Sequence, residues 1–155
     1  MLMVDIPDFD SVAKAHGHIC PGIALGYKMA VIAAEWAGSE THITVLSHTT
    51  RCPLDALRYT FDLKNHPERL VIENTNTGSY VLEKTDGSKL FIDELPDTKL
   101  TSSELHLLKG KEAANTATPE EKDRLTVIRQ EMVRIMQETP NEKLFTVRAV
   151  DAKKV

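Results

Sequence analysis

The 155-residue chain is poor in cysteine, tryptophan and aromatic residues: it has two Cys, one Trp, and Phe, Trp and Tyr together make up 5%. Two cysteines cannot build the lattice of bridges that holds a small secreted scaffold together. There is also no run of Lys and Arg, and the formal net charge is −4. Phosphate backbones are held by concentrated positive charge, so no nucleic-acid partner is expected. Long apolar runs are missing too. The longest, around Ile23 to Trp36, is interrupted by Gly26, Lys28 and Glu35, which makes it too short and too polar to span a bilayer. No membrane association is expected. Residues 1–7 lack the basic head and apolar stretch of a signal peptide, so the expected location is cytoplasmic. There Cys20 and Cys52 would be thiols or metal ligands rather than a structural disulfide. Internal repeats, Gly-rich phosphate loops, the paired histidines of zinc proteases and the Ser nucleophile elbow are all absent.

What is present is ordinary for a single globular domain over residues 1–155: 41% hydrophobic and 27% charged residues, enough chain for one core. The punctuation predicts an α+β fold, an antiparallel sheet packed with helices, with an N-terminal helical motif and a C-terminal helical extension. A short helix is expected over 8–15, capped by Asp8 or Asp10. Pro21 opens a strong helix to Ala37. Leu25, Met29, Ile32 and Trp36 form its core stripe, and Gly22, Gly26, Ala30, Ala33 and Ala37 form a flat stripe that admits a close neighbour. A strand over 42–47 precedes a Pro-initiated helix over 53–61. Strands over 70–74, 79–83 and 89–93, separated by Asn76-Thr77-Gly78 and Asp86-Gly87, predict an antiparallel meander. The extension covers about 101–138. Thr101 and Glu104 form a capping box before a helix that Gly110 ends, a polar linker runs to Thr118, and Thr118 and Glu121 cap a helix to Glu138. Leu125, Ile128, Met132 and Ile135 form its apolar seam. A last strand covers 144–150.

Chemistry concentrates in His16-Gly17-His18-Ile19-Cys20-Pro21-Gly22. Two imidazoles and a thiol lie within five residues, and an extended backbone would aim positions 16, 18 and 20 to one side. Neutral imidazole and thiolate are preferred ligands of Zn²⁺ and related ions. The plain alternative is that a histidine caps the first helix and Cys20 is merely buried. Both cysteines precede proline, in Cys20-Pro21 and Cys52-Pro53. Each therefore sits at a helix N-terminus, where free N–H groups favour the thiolate that ligates metal or attacks an electrophile. Arg51 adds positive charge beside Cys52. His48 is either a further ligand or proton donor, or a polar loop histidine. Asp55 is read as the return arm of a cap on residue 52 rather than as a catalytic group. His42, His66 and His106 have no local partners and are read as surface or core residues.

The stretch His16-Gly17-His18-Ile19-Cys20-Pro21-Gly22-Ile23-Ala24-Leu25-Gly26-Tyr27 resembles the N-terminal signature of the FmdE-like family of formylmethanofuran dehydrogenase proteins, roughly HGHxCPGxxxGxR/K. Cys52-Pro53-Leu54-Asp55-Ala56-Leu57 resembles that family's second motif, CxxDAI, and the later layout through Glu142-Lys143-Leu144-Phe145-Thr146-Val147 is similar. The resemblance implies an α+β homodimer, with His16, His18, Cys20 and Cys52 clustered in a cleft around a divalent transition metal, zinc first and nickel or iron as alternatives. It also implies an accessory role to a molybdenum or tungsten oxidoreductase and an unidentified small-molecule substrate. This chain departs from many relatives in the 62–68 loop, Asp62-Leu63-Lys64 and His66-Pro67-Glu68, in having Thr49-Thr50-Arg51 before the second motif, and in having too few cysteines for a Cys-rich zinc domain. Three functions compete. In the first, a metal protein leaves an open position beside three protein ligands, with Cys52 as the catalytic group. The second is a metal-free thiol redox pair or nucleophile using Cys20 and Cys52. The third is a dimeric adaptor with a structural metal, docking through 101–138.

Overall fold

The computed structural model describes residues 8–17, 20–95 and 103–151, residue 103 by its backbone only. His18 and Thr101 lie outside the described residues, and with them two of the expected assignments. Helix α1 (Phe9–His16) opens on Asp8, whose carboxylate accepts the Ser11 N–H at 2.8 Å. It closes on Gly17, which takes φ +107° and donates its N–H to the Ala13 carbonyl at 2.9 Å. A left-handed residue at that position favours glycine, because a Cβ would strain it. His16 is therefore the last residue of a helix rather than the first of an extended run through 18 and 20.

Helix α2 (Pro21–Ala37) starts on Pro21 as expected and is the spine of the molecule. Ile23, Leu25, Met29, Ala30 and Ala33 are fully buried, while Ile32 and Trp36 are only half-buried. It packs on α1, α3 (Pro53–Thr60), α5 (Pro119–Glu138) and strand β4 (Lys89–Glu94). Its flat stripe serves α3 directly. A Cβ on Gly26 would lie 2.6 Å from the Pro53 Cα and 2.7 Å from the Pro53 carbonyl oxygen. At Gly22 it would lie 2.8 Å from the Cys52 Cβ.

The sheet has five strands in the order β2 (Leu70–Ile72), β1 (Thr44–Ser47), β3 (Ser79–Glu83), β4, β5 (Phe145–Val150). The α+β class holds, but the sheet is mixed and the expected meander is corrected at one strand. β2 runs parallel to β1 and does not form a hairpin with β3. β1, α3 and β2 form a strand–helix–strand crossover, the connection that parallel neighbours need. The chain from 73 to 78 then wraps the end of β1: Glu73 N–H donates to the Ser47 carbonyl at 2.9 Å and Thr75 N–H to the His48 carbonyl at 3.1 Å. β3 consequently joins β1 on its other side. The Asp86-Gly87 turn does join antiparallel neighbours, with Gly87 at φ +91°. Val45, Leu82 and Leu90 share one buried row, and Tyr80 and Ile92 the next.

The extension departs from expectation at Gly110. Helix α4 (Ser103–Ala113) continues through it and ends where Asn115 adopts φ +58°. There Thr116 N–H reaches the Lys111 carbonyl at 2.9 Å, so asparagine supplies the left-handed stop. The Thr118–Glu121 capping box of α5 is complete, with bonds of 3.1 and 3.0 Å. Its apolar seam splits. Leu125 and Ile128 pack on Leu105 and Leu108 of α4, but Val133 and Met136 face the main core, leaving Ile135 54% exposed. The single stripe fails because the two halves of α5 have different partners, α4 and then α2. Lys28 of α2 holds the far end of α5, donating to the carbonyls of Met136 at 3.2 Å, Gln137 at 3.3 Å, and Thr139. A cation on the last carbonyls of a helix also complements its dipole.

Candidate metal centre

The crossover places the end of β1 and the start of α3 beside the start of α2. Ligand sites of open α/β sheets form in this position, beyond the carboxyl ends of strands. The absence of side chains at Gly22 and Gly26 is what allows the second Cys-Pro step to settle on the first. His16, Cys20 and Cys52 converge there, each offering one donor atom, all within 4.8 Å of one another. His16 and Cys20 are nearly buried and Cys52 is half-buried.

The donor set suits a borderline divalent ion. The His16 Nε2 lies 3.7 Å from the Cys20 Sγ. Bond lengths of about 2.0 Å to nitrogen and 2.3 Å to sulfur put those two atoms about 3.5 Å apart around a tetrahedral zinc. The other ring nitrogen is committed: Nδ1 lies 2.6 Å from the Asp55 Oδ2. A carboxylate behind a ligating imidazole fixes the tautomer and the ring orientation, and makes Nε2 a stronger donor. Asp55 is held in turn by Arg58, whose Nη1 donates to Oδ1 at 2.9 Å.

Asp55 is thus the functional residue that the sequence reading misassigned. It was expected to bond back to the backbone of residue 52. Cys52 already has helical dihedrals, φ −46° and ψ −41°, and the Asp55 side chain instead turns to a partner 39 residues earlier in the chain. The available signal was its spacing, one turn into the helix after a cysteine. The two thiols also differ. Cys20 caps α2 as expected, its Sγ accepting the Ile23 N–H at 3.4 Å, whereas Cys52 makes no side-chain cap. Without a metal the Cys52 thiol is pushed far above its ordinary range, first by its hydrogen bond with Cys20, then by burial and the neighbouring negative charges of Cys20 and Asp55. This reverses the expected lowering. Two adjacent thiols resist joint ionisation unless a cation lies between them.

The remaining candidates lie outside the cluster. Arg51 does not serve Cys52: its Nε donates to the Thr49 hydroxyl at 3.1 Å and its Nη2 lies 3.7 Å from the Glu94 carboxylate. Glu94 also accepts the Tyr80 hydroxyl at 3.0 Å, and burial followed by the Glu94 charge raises the tyrosine's pKa. The His48 Nδ1 lies 3.2 Å from the Glu73 carbonyl oxygen, so its ring fastens the 73–78 wrap. His42 and His66 pair with nearby surface carboxylates, at 4.0 Å to Glu40 and 3.5 Å to Glu68. Among the described residues, no helix is long and apolar enough to cross a membrane.

A comparison with curated proteins gives no match. Residues 15–146 match the family model FmdE, described as "FmdE, Molybdenum formylmethanofuran dehydrogenase operon". The matched span begins one residue before His16, contains Cys20, Cys52 and Asp55, and runs into β5. The chain belongs to the FmdE family.

Proposed function

We propose that this protein binds one divalent transition metal, zinc by donor preference and nickel or iron as alternatives, through His16, Cys20 and Cys52, with His18 as a further ligand. The convergence of those three donors from one helix end and two helix starts, with Asp55 behind the imidazole, is the observation that carries the proposal. A bound ion would supply Lewis acidity and hold both sulfurs as thiolates at neutral pH. The chain's own residues do the rest. Asp55 keeps the His16 proton on Nδ1 and presents Nε2, Cys20 is fixed by its bond to α2, and Cys52, the more exposed thiol, is assigned the reactive role. A reducing cytoplasmic setting suits two thiols that form no disulfide.

Purification without chelator, followed by elemental analysis, is expected to give near-stoichiometric zinc or nickel. Cys52→Ser and His16→Ala are expected to lose it. Metal-free protein that takes up neither ion would overturn the assignment. In keeping with its family, we also propose that the protein serves a molybdenum or tungsten oxidoreductase as an accessory, which co-purification of the metal-loaded protein with such an enzyme checks. A homodimer is part of the proposal. The sheet face away from α2 carries the row Val71, Leu46, Val81, Phe91, and Val71 is 48% exposed. Sedimentation equilibrium of the wild type and Val81→Lys tests that face: the wild type is expected to be dimeric and the variant monomeric.

A further inference from the structure

The β1–α3–β2 crossover leaves a groove of about 820 Å³ beneath the edge strand, between α3 and β2. We infer that this groove binds a small molecule with an apolar body and one anionic group, and that it is the substrate pocket of the candidate metal centre. Its link to that centre is Asp55, which lines the groove with one side and holds the His16 ring with the other. A molecule seated there touches the carboxylate that sets the metal ligand's basicity. The link to chemistry rests on the metal reading, but binding in the groove does not.

The volume lies within the range of small-molecule sites, and the lining has their usual make-up, an apolar wall with a few fixed polar groups. Leu70 and Ile72 alternate on β2 with Val71 and share a sheet face with their partners Val45 and Ser47. They turn toward the helix side, where Tyr59 of α3 stands opposite. Tyr59 is 44% exposed and Ile72 38%, so the wall is apolar and open to solvent. The rim is built rather than loose. Asp62 takes φ +53° after α3, Leu63 N–H returns to the Arg58 carbonyl at 2.9 Å, and the Asn65 side chain donates to Asp62 at 2.8 Å.

Charge decides the sign of the ligand. The Asp55 carboxylate is held between His16 and Arg58, and Arg58 is thereby neutralised. Asp62 accepts from Asn65 and lies 3.8 Å from the His66 ring. Lys64 lines the groove and makes no ion pair among the described residues. Its ammonium is the cation left to meet a ligand, which points to a carboxylate, sulfonate or phosphate on an aromatic or branched aliphatic body.

The test uses 2-naphthoate as the anionic probe and 2-naphthalenemethanol as its neutral counterpart, titrated into the full chain by NMR with and without zinc. Saturable shifts confined to the end of α1, α3, the 62–67 loop and β2 are expected for naphthoate. Lys64→Glu is expected to weaken naphthoate about fivefold and leave the alcohol unchanged, the size of an exposed ion pair. Tyr59→Ala is expected to weaken both about tenfold by removing the aromatic wall. Both side chains are exposed or line open space, so neither variant threatens folding. Shifts elsewhere, an absence of saturation, or a Lys64→Glu variant that binds naphthoate as tightly as wild type would overturn the inference. If naphthoate seats while zinc does not bind, the metal reading fails and the groove stands. If zinc binds and no probe enters the groove, the groove reading fails and the metal centre stands.

Discussion

Gly26→Ala is the most exacting perturbation of the site, because it touches no donor atom. In isolation the change favours the helix, since alanine exceeds glycine by about 1 kcal/mol in a helix interior. Here the new methyl would lie 2.6 Å from the Pro53 Cα and 2.7 Å from the Pro53 oxygen, where ordinary contact begins at 3.4 Å. The obstacle is backbone, so no rotamer relieves it and α3 must withdraw by about 1 Å. Overpacking of this kind costs about 3 kcal/mol at its upper end, leaving a net loss of about 2 kcal/mol and a Tm lower by about 4–8 °C. Metal binding is the sharper readout. The metal-free variant relaxes by moving α3 away, and Cys52 moves with it. Coordination must draw Cys52 back against the clash, so a strain of about 2–3 kcal/mol appears as a metal Kd weaker by about 30- to 140-fold. Competition with a chromophoric chelator measures that affinity, and thermal unfolding measures the first loss. Gly110→Ala is the matched control: it also lies inside a helix, but a Cβ there meets nothing within 4 Å. It should gain about 0.5–1 kcal/mol and leave metal affinity unchanged. A Gly26→Ala protein that is as stable as wild type and binds metal equally well would refute the close approach of α3 on α2, and with it the assembly of the site.

Asp55→Asn should weaken metal binding about 10- to 100-fold without preventing folding, measured by the same competition, because the imidazole loses the carboxylate that orients it. Met136→Ala should cost about 2–5 kcal/mol in denaturant unfolding, whereas Ile135→Ala, on the exposed side of the same turn, should stay within about 0.5 kcal/mol. Equal losses would place the wrong face of α5 against α2. Lys28→Met should raise hydrogen-exchange rates in the last turn of α5, which loses its cation on three carbonyls. The Glu121 carboxylate is held below its ordinary range by Lys111 first, then by the Thr118 backbone N–H. Its folded-state pKa is depressed, so its contribution is present above the ordinary carboxylate pKa of 4.5 and is lost as pH falls through the lowered value. Fraying at Thr118–Glu121 in that window, followed by NMR, checks the sign.

Local signals were legible, and partners distant in the chain were not. Pro21, Pro53 and Pro119 each open a helix where proline's missing N–H costs nothing, and Asp8 and Thr118 cap where short polar side chains should. Those rules need only neighbours within four residues. The pairing of β2 is a different kind of fact. Its residues suit a strand beside either β1 or β3, and the choice was made by the 73–78 wrap and the crossover helix, whose bonds reach back to Ser47 and His48. Gly110 shows the same limit from the other side. Its propensity to stop a helix was outweighed by α4 packing on α5 and by Asn115, a usable stop one turn later.

The site divides along the same line, and the division explains why Asp55 was misread while the three clustered donors His16, Cys20 and Cys52 were singled out. Histidine and cysteine announce their chemistry wherever they stand, so His16, Cys20 and Cys52 could be grouped without knowing how the chain folds. A carboxylate does not. Aspartate one turn into a helix is more often a cap than anything else, and only the position of α1 against α3 turns this one toward an imidazole. The residues that shape the candidate centre are correspondingly the inconspicuous ones. Gly22 and Gly26 set the distance between the two Cys-Pro steps and Asp55 sets the imidazole's tautomer, yet none of the three is a ligand. Substitutions that spare every donor atom should therefore separate two sources of affinity, the chemistry of the ligands and the closeness with which α3 is held against α2. If affinity follows the donors alone and ignores Gly26 and Asp55, the ion gathers its own ligands and the fold contributes little preorganisation.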